Sequence, residues 1–132
     1  PIGMVQPLQE EPRAIPGSLV RANLDANHWL AMGSAPEVAV MVESDRVLRP
    51  VRLNQGRTIG RYAPNERLVL SGVVPETSKN QLANKAFLMV QDHGRGRVVA
   101  FAEDPNYRGF LLGLRPLVFN AILLGPSSLY AE

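Results

Sequence analysis

Two histidines, no cysteine and one tryptophan set the chemistry open to this chain. A hydrolytic zinc site takes about three nitrogen or oxygen ligands and keeps one position open. His28 and His93 stand in neither an H-x-x-E nor an H-E-x-x-H arrangement. His93 opens a glycine-rich turn and His28 precedes Trp29 in a polar stretch, so a turn histidine and a packed loop histidine are expected, with no metal site. The lack of cysteine excludes disulfides, iron–sulfur clusters, thiolate zinc sites and cysteine nucleophiles. Ser71 lies in LVLSGVV, a strand-like stretch without the G-x-S-x-G elbow. A serine triad would need a base and an orienting acid beside it. No catalytic residue is therefore expected.

Binding chemistry is better represented. The HGRGR stretch at 93–97 resembles a phosphate loop in composition, but it joins two apolar runs, whereas a phosphate cradle leads into a helix. A hairpin turn is expected there, with Arg95 and Arg97 forming a small exposed positive patch. Glu103 and Asp104 adjoin a strand end and a helix start, and Arg108 follows four residues after Asp104. Paired carboxylates can do acid–base work. The structural alternative is an N-cap at Asp104 and a salt bridge from Arg108 to one of the acids. Trp29 reads first as a loop anchor, because tryptophans are mostly well buried. The binding candidates are thus Trp29, Arg95, Glu103, Asp104, Tyr107 and Arg108.

These residues need a frame. Residues 18–25 alternate, with Val20, Ala22 and Leu24 on one face and Arg21, Asn23 and Asp25 on the other, as in a half-buried strand. Residues 26–36 read as a loop with a short helical turn. The run VAVMV at 38–42 predicts a strand covered on both faces. A further strand is expected over 46–53, at a sheet edge because of Pro50. Residues 58–62 and 67–73 predict two more, separated by the turn residues Pro64, Asn65 and Glu66. PETSKNQLANK predicts one or two exposed helical turns. AFLMVQD and RVVAFAED then form a hairpin with two central strands.

Asp104 and Pro105 predict a helix entrance, with Asp as N-cap and Pro in the first position. Phe110, Leu114, Leu117, Ala121 and Leu124 follow at helical spacing, and Leu111, Val118 and Ile122 fill the adjacent face. So apolar a helix should be buried on much of its circumference. Pro116 should kink or divide it, and Gly125 with Pro126 should stop it.

At least three strands read as apolar on both faces, against one strong helix. Such strands need cover on both sides. Either a second layer comes from outside this chain, or the sheet closes on itself as a barrel or sandwich. The chain has 132 residues, enough for one domain that buries roughly two thirds of its unfolded surface. Apolar residues make up 45% and charged residues 20%, which excludes wholesale disorder. Residues 1–16, rich in proline, read as a linker or extended arm, 17–127 as a single α/β domain, and 128–132 as a tail. The net charge is only +2, without a Lys/Arg run or interleaved aromatics, so nucleic acid is not an expected partner. The longest apolar runs, such as 86–90, are too short to span a bilayer, and no signal-peptide pattern is visible. A start at Pro1 fits a mature product or an excised piece.

GRGRVVAFAEDPNYRGFLLGLRPLVFNAILLGPS, with PGSLVRANLDANHWLAMG and LVLSGVVPETSKNQLANKAFLMV before it, resembles the C-terminal domain of bacterial zinc carboxypeptidase-like proteins. These are relatives of carboxypeptidase A with an added domain similar to class I glutamine amidotransferases. The likeness runs over about residues 16–127. It implies a β-rich α/β fold, a partial amidotransferase-like sandwich with a mixed sheet and a C-terminal helix. It also implies a parent that cleaves peptides with zinc-activated water in a different domain, so that zinc belongs there and no cofactor to this chain. Secretion or a periplasmic location is implied in the same way. Amidotransferases carry a nucleophilic cysteine upstream and a histidine in a Q-F-H-P-E-like stretch. The comparable stretch here is AFAEDPNYR, with no histidine after Phe101. The implied role is a non-catalytic accessory domain of the metallopeptidase that aids folding, dimerises or orients substrate. Its partner would be the rest of the parent chain or a second copy. The alternative is a carbohydrate or peptidoglycan module using Trp29, Tyr62, Tyr107 and nearby arginines.

Overall fold

A computed structural model describes Ile15 and residues 17–127. The expected arm and tail lie outside the described residues, except that Ile15 is buried in the core. The first strand, β1 (Ser18–Leu24), buries Ser18, Val20, Ala22 and Leu24 in strict alternation. That is the period of two a half-buried strand requires. Its residues from Ser18 to Asn23 pair with β2 (Glu37–Val42), which buries Val38, Val40 and Val42 and leaves Ala39 and Met41 half-buried. Between them a 3-10 turn, Trp29–Ala31, occupies the loop.

The other edge of β1 is shared. Its second half pairs with β3 (Arg57–Tyr62) and its first half with the short β4 (Val69–Ser71). A seven-residue helix, α1 (Glu76–Leu82), leads to β5 (Ala86–His93), which pairs with β3 and with β6 (Gly96–Phe101). The order is β2-β1-β3-β5-β6, with β4 beside β1. Every strand pairing described is antiparallel, which corrects the expected mixed sheet. The consecutive pairs β1–β2 and β5–β6 return directly on themselves, which only antiparallel pairing allows over so short a connection.

Residues 46–53 do not form the expected edge strand. They contribute one isolated bridge, Leu48 to Ala86, and otherwise run as loop and turn. Pro50 lacks the N–H a ladder needs, and Leu53 is 90% exposed, so the pairing does not extend beyond Leu48. The hairpin forms as expected, turning at Gly94 and Arg95 with His93 opposite Gly96. Gly94 sits at φ 59, the left-handed backbone that such a two-residue turn takes. Only one of its strands is central. β5 buries five consecutive residues, Ala86–Val90, whereas β6 lies at the end of the strand order with no fully buried residue.

The sheet curls, and β5 is covered on both faces by this chain's own residues. Tyr62 and Phe101 both contact the Phe87 ring, at centroid distances of 5.9 Å. The burial problem posed by the apolar strands is thus largely solved within the chain.

The C-terminal helix departs most from expectation. Asp104 and Pro105 open no helix. The chain makes 3-10 turns at Tyr107–Gly109 and Leu112–Leu114, and α2 spans Arg115–Leu123. Pro116 lies in the first turn of α2, where its missing N–H would have been unpaired anyway, so it starts the helix rather than kinking it. The helix ends at Leu123, just before Gly125 and Pro126. Only Leu117 of its nine residues is buried, while Phe119, Ile122 and Leu123 are 59%, 65% and 70% exposed. The expected burial around most of the circumference is therefore not met. No helix among the described residues is long and apolar enough to cross a membrane.

Candidate functional site

The six binding candidates fall into two groups at different parts of the fold. Glu103, Asp104, Tyr107 and Arg108 follow the end of β6. Glu103 is buried, and its Oε1 accepts a 2.5 Å hydrogen bond from the Ser44 hydroxyl, just beyond the end of β2. Burial raises the Glu103 pKa, while hydrogen bonds from Ser44 and from the Glu43 and Ser44 backbone, together with Arg46, pull it back. The Tyr107 hydroxyl donates to Glu43 Oε1 at 2.8 Å. This bond raises the tyrosine's pKa, because the carboxylate accepts from the protonated phenol. Both contacts tie the segment after β6 to the segment after β2.

Asp104 caps no helix. Its Oδ1 accepts from the Asn106 backbone N–H at 2.8 Å, closing a local turn. The expected salt bridge from Arg108 to one of the acids is not formed. Arg108 takes a left-handed backbone at φ 47, so the helical spacing that would return it to Asp104 does not exist. Its guanidinium lies 5.2 Å from the Tyr107 ring centroid instead. The hollow beside Ser44 and Arg46 has a volume of about 10 Å³, room for one water at most. The group acts as a clasp between the segments that follow β2 and β6.

The second group gathers Trp29 and Arg95 at the far end of the β5–β6 hairpin. His28 precedes the 3-10 turn, and its Nδ1 accepts from the Leu30 N–H at 3.2 Å. Burial lowers the His28 pKa, and Arg57 and Arg97 lower it further against the opposing pull of Asp25. A neutral, capping histidine results, which is the packed loop histidine read from the sequence. Trp29 is partly buried against the core. Arg97 lies 5.5 Å from the Trp29 ring centroid, and its Nε donates to Asp92 Oδ1 at 2.7 Å. A cleft of about 340 Å³ opens here, lined by Arg95, Arg97, Val99, Ala121 and Pro126.

Sequence reasoning missed Arg97 and Asp92 as a unit. The signal was present, since a hairpin turning at Gly94 and Arg95 places Asp92 directly opposite Arg97. It also missed Ser44 as the partner of Glu103. No pattern in the sequence links those two, because only the folded sheet joins the ends of β2 and β6.

His93 stays at the hairpin turn and His28 at the 3-10 turn, and no group of three His, Asp or Glu side chains is placed to hold a metal among the described residues. Comparison with protein-family models, with curated proteins and with solved structures found no match to this chain.

Proposed function

We propose that the chain is a non-catalytic accessory domain of a zinc carboxypeptidase-like metallopeptidase. It docks against the rest of the parent chain, or against a second copy, through the outer face of α2. The observation that carries this is the exposure of Phe119, Ile122 and Leu123 on a helix that buries only Leu117. Phe110 and Leu112 just before the helix, and Met32 beside it, are also at least half exposed. Fully burying one large apolar side chain stabilises by about 1.5–3 kcal/mol, so a run of several in water is a strong drive toward a partner surface. In this reading the fold is part of an amidotransferase-like sandwich, completed by the layer that covers α2. The choice of parent rests on the sequence likeness to the carboxypeptidase-like C-terminal domain.

The carbohydrate-module alternative has less support. Tyr62 is in the core, and Arg97 lies against the Trp29 ring, so neither offers an open aromatic platform. The parent's complete coding sequence tests the proposal. An H-x-x-E and a later histidine upstream of these residues are expected, and their absence would remove the metallopeptidase from the account.

A further inference from the structure

We propose that the cleft between the β5–β6 hairpin and the end of α2 binds a small carboxylate, of the size of one sugar ring or one amino-acid residue. This site goes beyond the docking role and uses other residues than Phe119, Ile122 and Leu123. A failed ligand titration would leave the docking reading untouched.

The argument begins with the charges. Arg97 is held in place by Asp92 at 2.7 Å and by the Trp29 ring at 5.5 Å. Its positive charge is balanced by Asp92. Arg95 is exposed on the turn, in no ion pair among the described residues, and it lines the same cleft. Among the described residues, the two arginines and Asp92 leave one net positive charge beside the cleft. His28 behind Trp29 adds none, because its pKa is held down by burial and by Arg57. One net charge matches a monoanion, and a guanidinium fork matches the two oxygens of a carboxylate.

The walls supply the rest. Val99, Ala121 and Pro126 are apolar and compact, and the glycines Gly96 and Gly125 add no side chain. The Trp29 indole reaches the Gly125 position, where an added methyl would lie 3.9 Å from Cη2. The volume of about 340 Å³ is at the small end of ligand pockets, which suits one ring or residue rather than an extended chain. A mostly apolar pocket with the exposed Arg95 guanidinium at its rim orients a ligand by its acid group and shelters its body.

Trp29 is the chain's only tryptophan and stacks with Arg97, which lines the cleft, so its fluorescence reports on a ligand there through that contact. The protein would be titrated with glucuronate and with hippurate, one a sugar acid and the other an acylated amino acid. Their methyl esters and inorganic phosphate serve as comparisons. At least one carboxylate should change the Trp29 emission saturably, with its ester at least about tenfold weaker, and which acid binds tells the source. Arg95→Gln should weaken binding at least about tenfold, Arg95→Lys less, with circular dichroism and Tm unchanged because the side chain is exposed. Esters or phosphate binding as tightly as the acids, unaltered binding by Arg95→Gln, or no saturable response to either acid would overturn the proposal.

Discussion

The Ser44 hydroxyl and the Glu103 carboxyl, 59 positions apart, share a 2.5 Å hydrogen bond that joins the end of β2 to the end of β6. These strands stand at opposite ends of the sheet order. The contact therefore reports how far the sheet curls. It also places a titratable group where burial penalises its charged form.

That penalty has a pH signature. Glu103 has a raised pKa in the folded state, so the folded chain keeps a proton that the unfolded chain releases. Its contribution to stability is complete below the ordinary glutamate value of about 4.3 and is lost as pH rises through the raised one. Glu103→Gln cannot ionise. Its Tm relative to the wild type should climb between about pH 4 and neutrality, as followed by thermal melts across that range. A difference that stays flat or falls would show that hydrogen bonds, not burial, dominate at this carboxyl.

Tyr62 has a hydroxyl with no hydrogen-bond partner among the described residues, although its side chain is wholly buried. Burial, and next Glu103, push its pKa up, so it stays protonated. A buried polar group without a partner costs about 1–3 kcal/mol. Tyr62→Phe should consequently leave stability unchanged or raise it by about 1 kcal/mol in denaturant unfolding. A loss of more than about 1 kcal/mol would mean that the hydroxyl has a bonded partner in solution.

Asn120 fastens α2 to the loop that carries Trp29. Its Nδ2 donates to the Leu30 carbonyl at 2.9 Å and to the Met32 carbonyl at 2.7 Å. With Leu117 the only buried residue of the helix, these bonds carry much of its attachment. Asn120→Ala should cost about 1–3 kcal/mol and speed amide exchange in α2 more than in β5. Equal protection of α2 in the variant and the wild type would show that apolar contacts alone suffice.

Gly56 precedes β3 with φ 152, and a Cβ there would run into the Val90 backbone carbonyl oxygen. Backbone cannot rotate out of the way as a side chain does. Gly56→Ala should destabilise by about 2 kcal/mol or more, a drop of roughly 8 °C or more in Tm for a domain of this size. A melt within a degree of the wild type would mean that Gly56 does not lie against the Val90 carbonyl in solution.

The parts of the fold legible in sequence are those where a local pattern has one physical solution. The alternation at Val20, Ala22 and Leu24 leaves little choice but a half-buried strand, and the glycines beside Arg95 leave little but a hairpin. The start of the helix was not legible, because Asp104 followed by Pro105 serves a local turn as well as an N-cap. Residues 46–53 failed for a related reason, since apolar content alone does not say whether a neighbour waits for the segment. Within the site, Trp29 and Arg95 could be named individually. Their meeting beside one cleft depends on where α2 ends, and the buried state of Glu103 depends on Ser44. Both are tertiary facts with no local trace.

The docking face of α2 can be tested by a thiol, because the chain has no cysteine of its own. Ile122→Cys places one on the helix, and Leu53→Cys places one on a loop that is 90% exposed. Each variant of the intact protein would be labelled with a maleimide under native conditions, and the rate at that position followed by mass spectrometry. The Ile122→Cys thiol should react at least about tenfold more slowly than the Leu53→Cys thiol, and the two should converge on unfolding. Equal rates in the native protein would contradict a covered α2 and, with it, the accessory docking role.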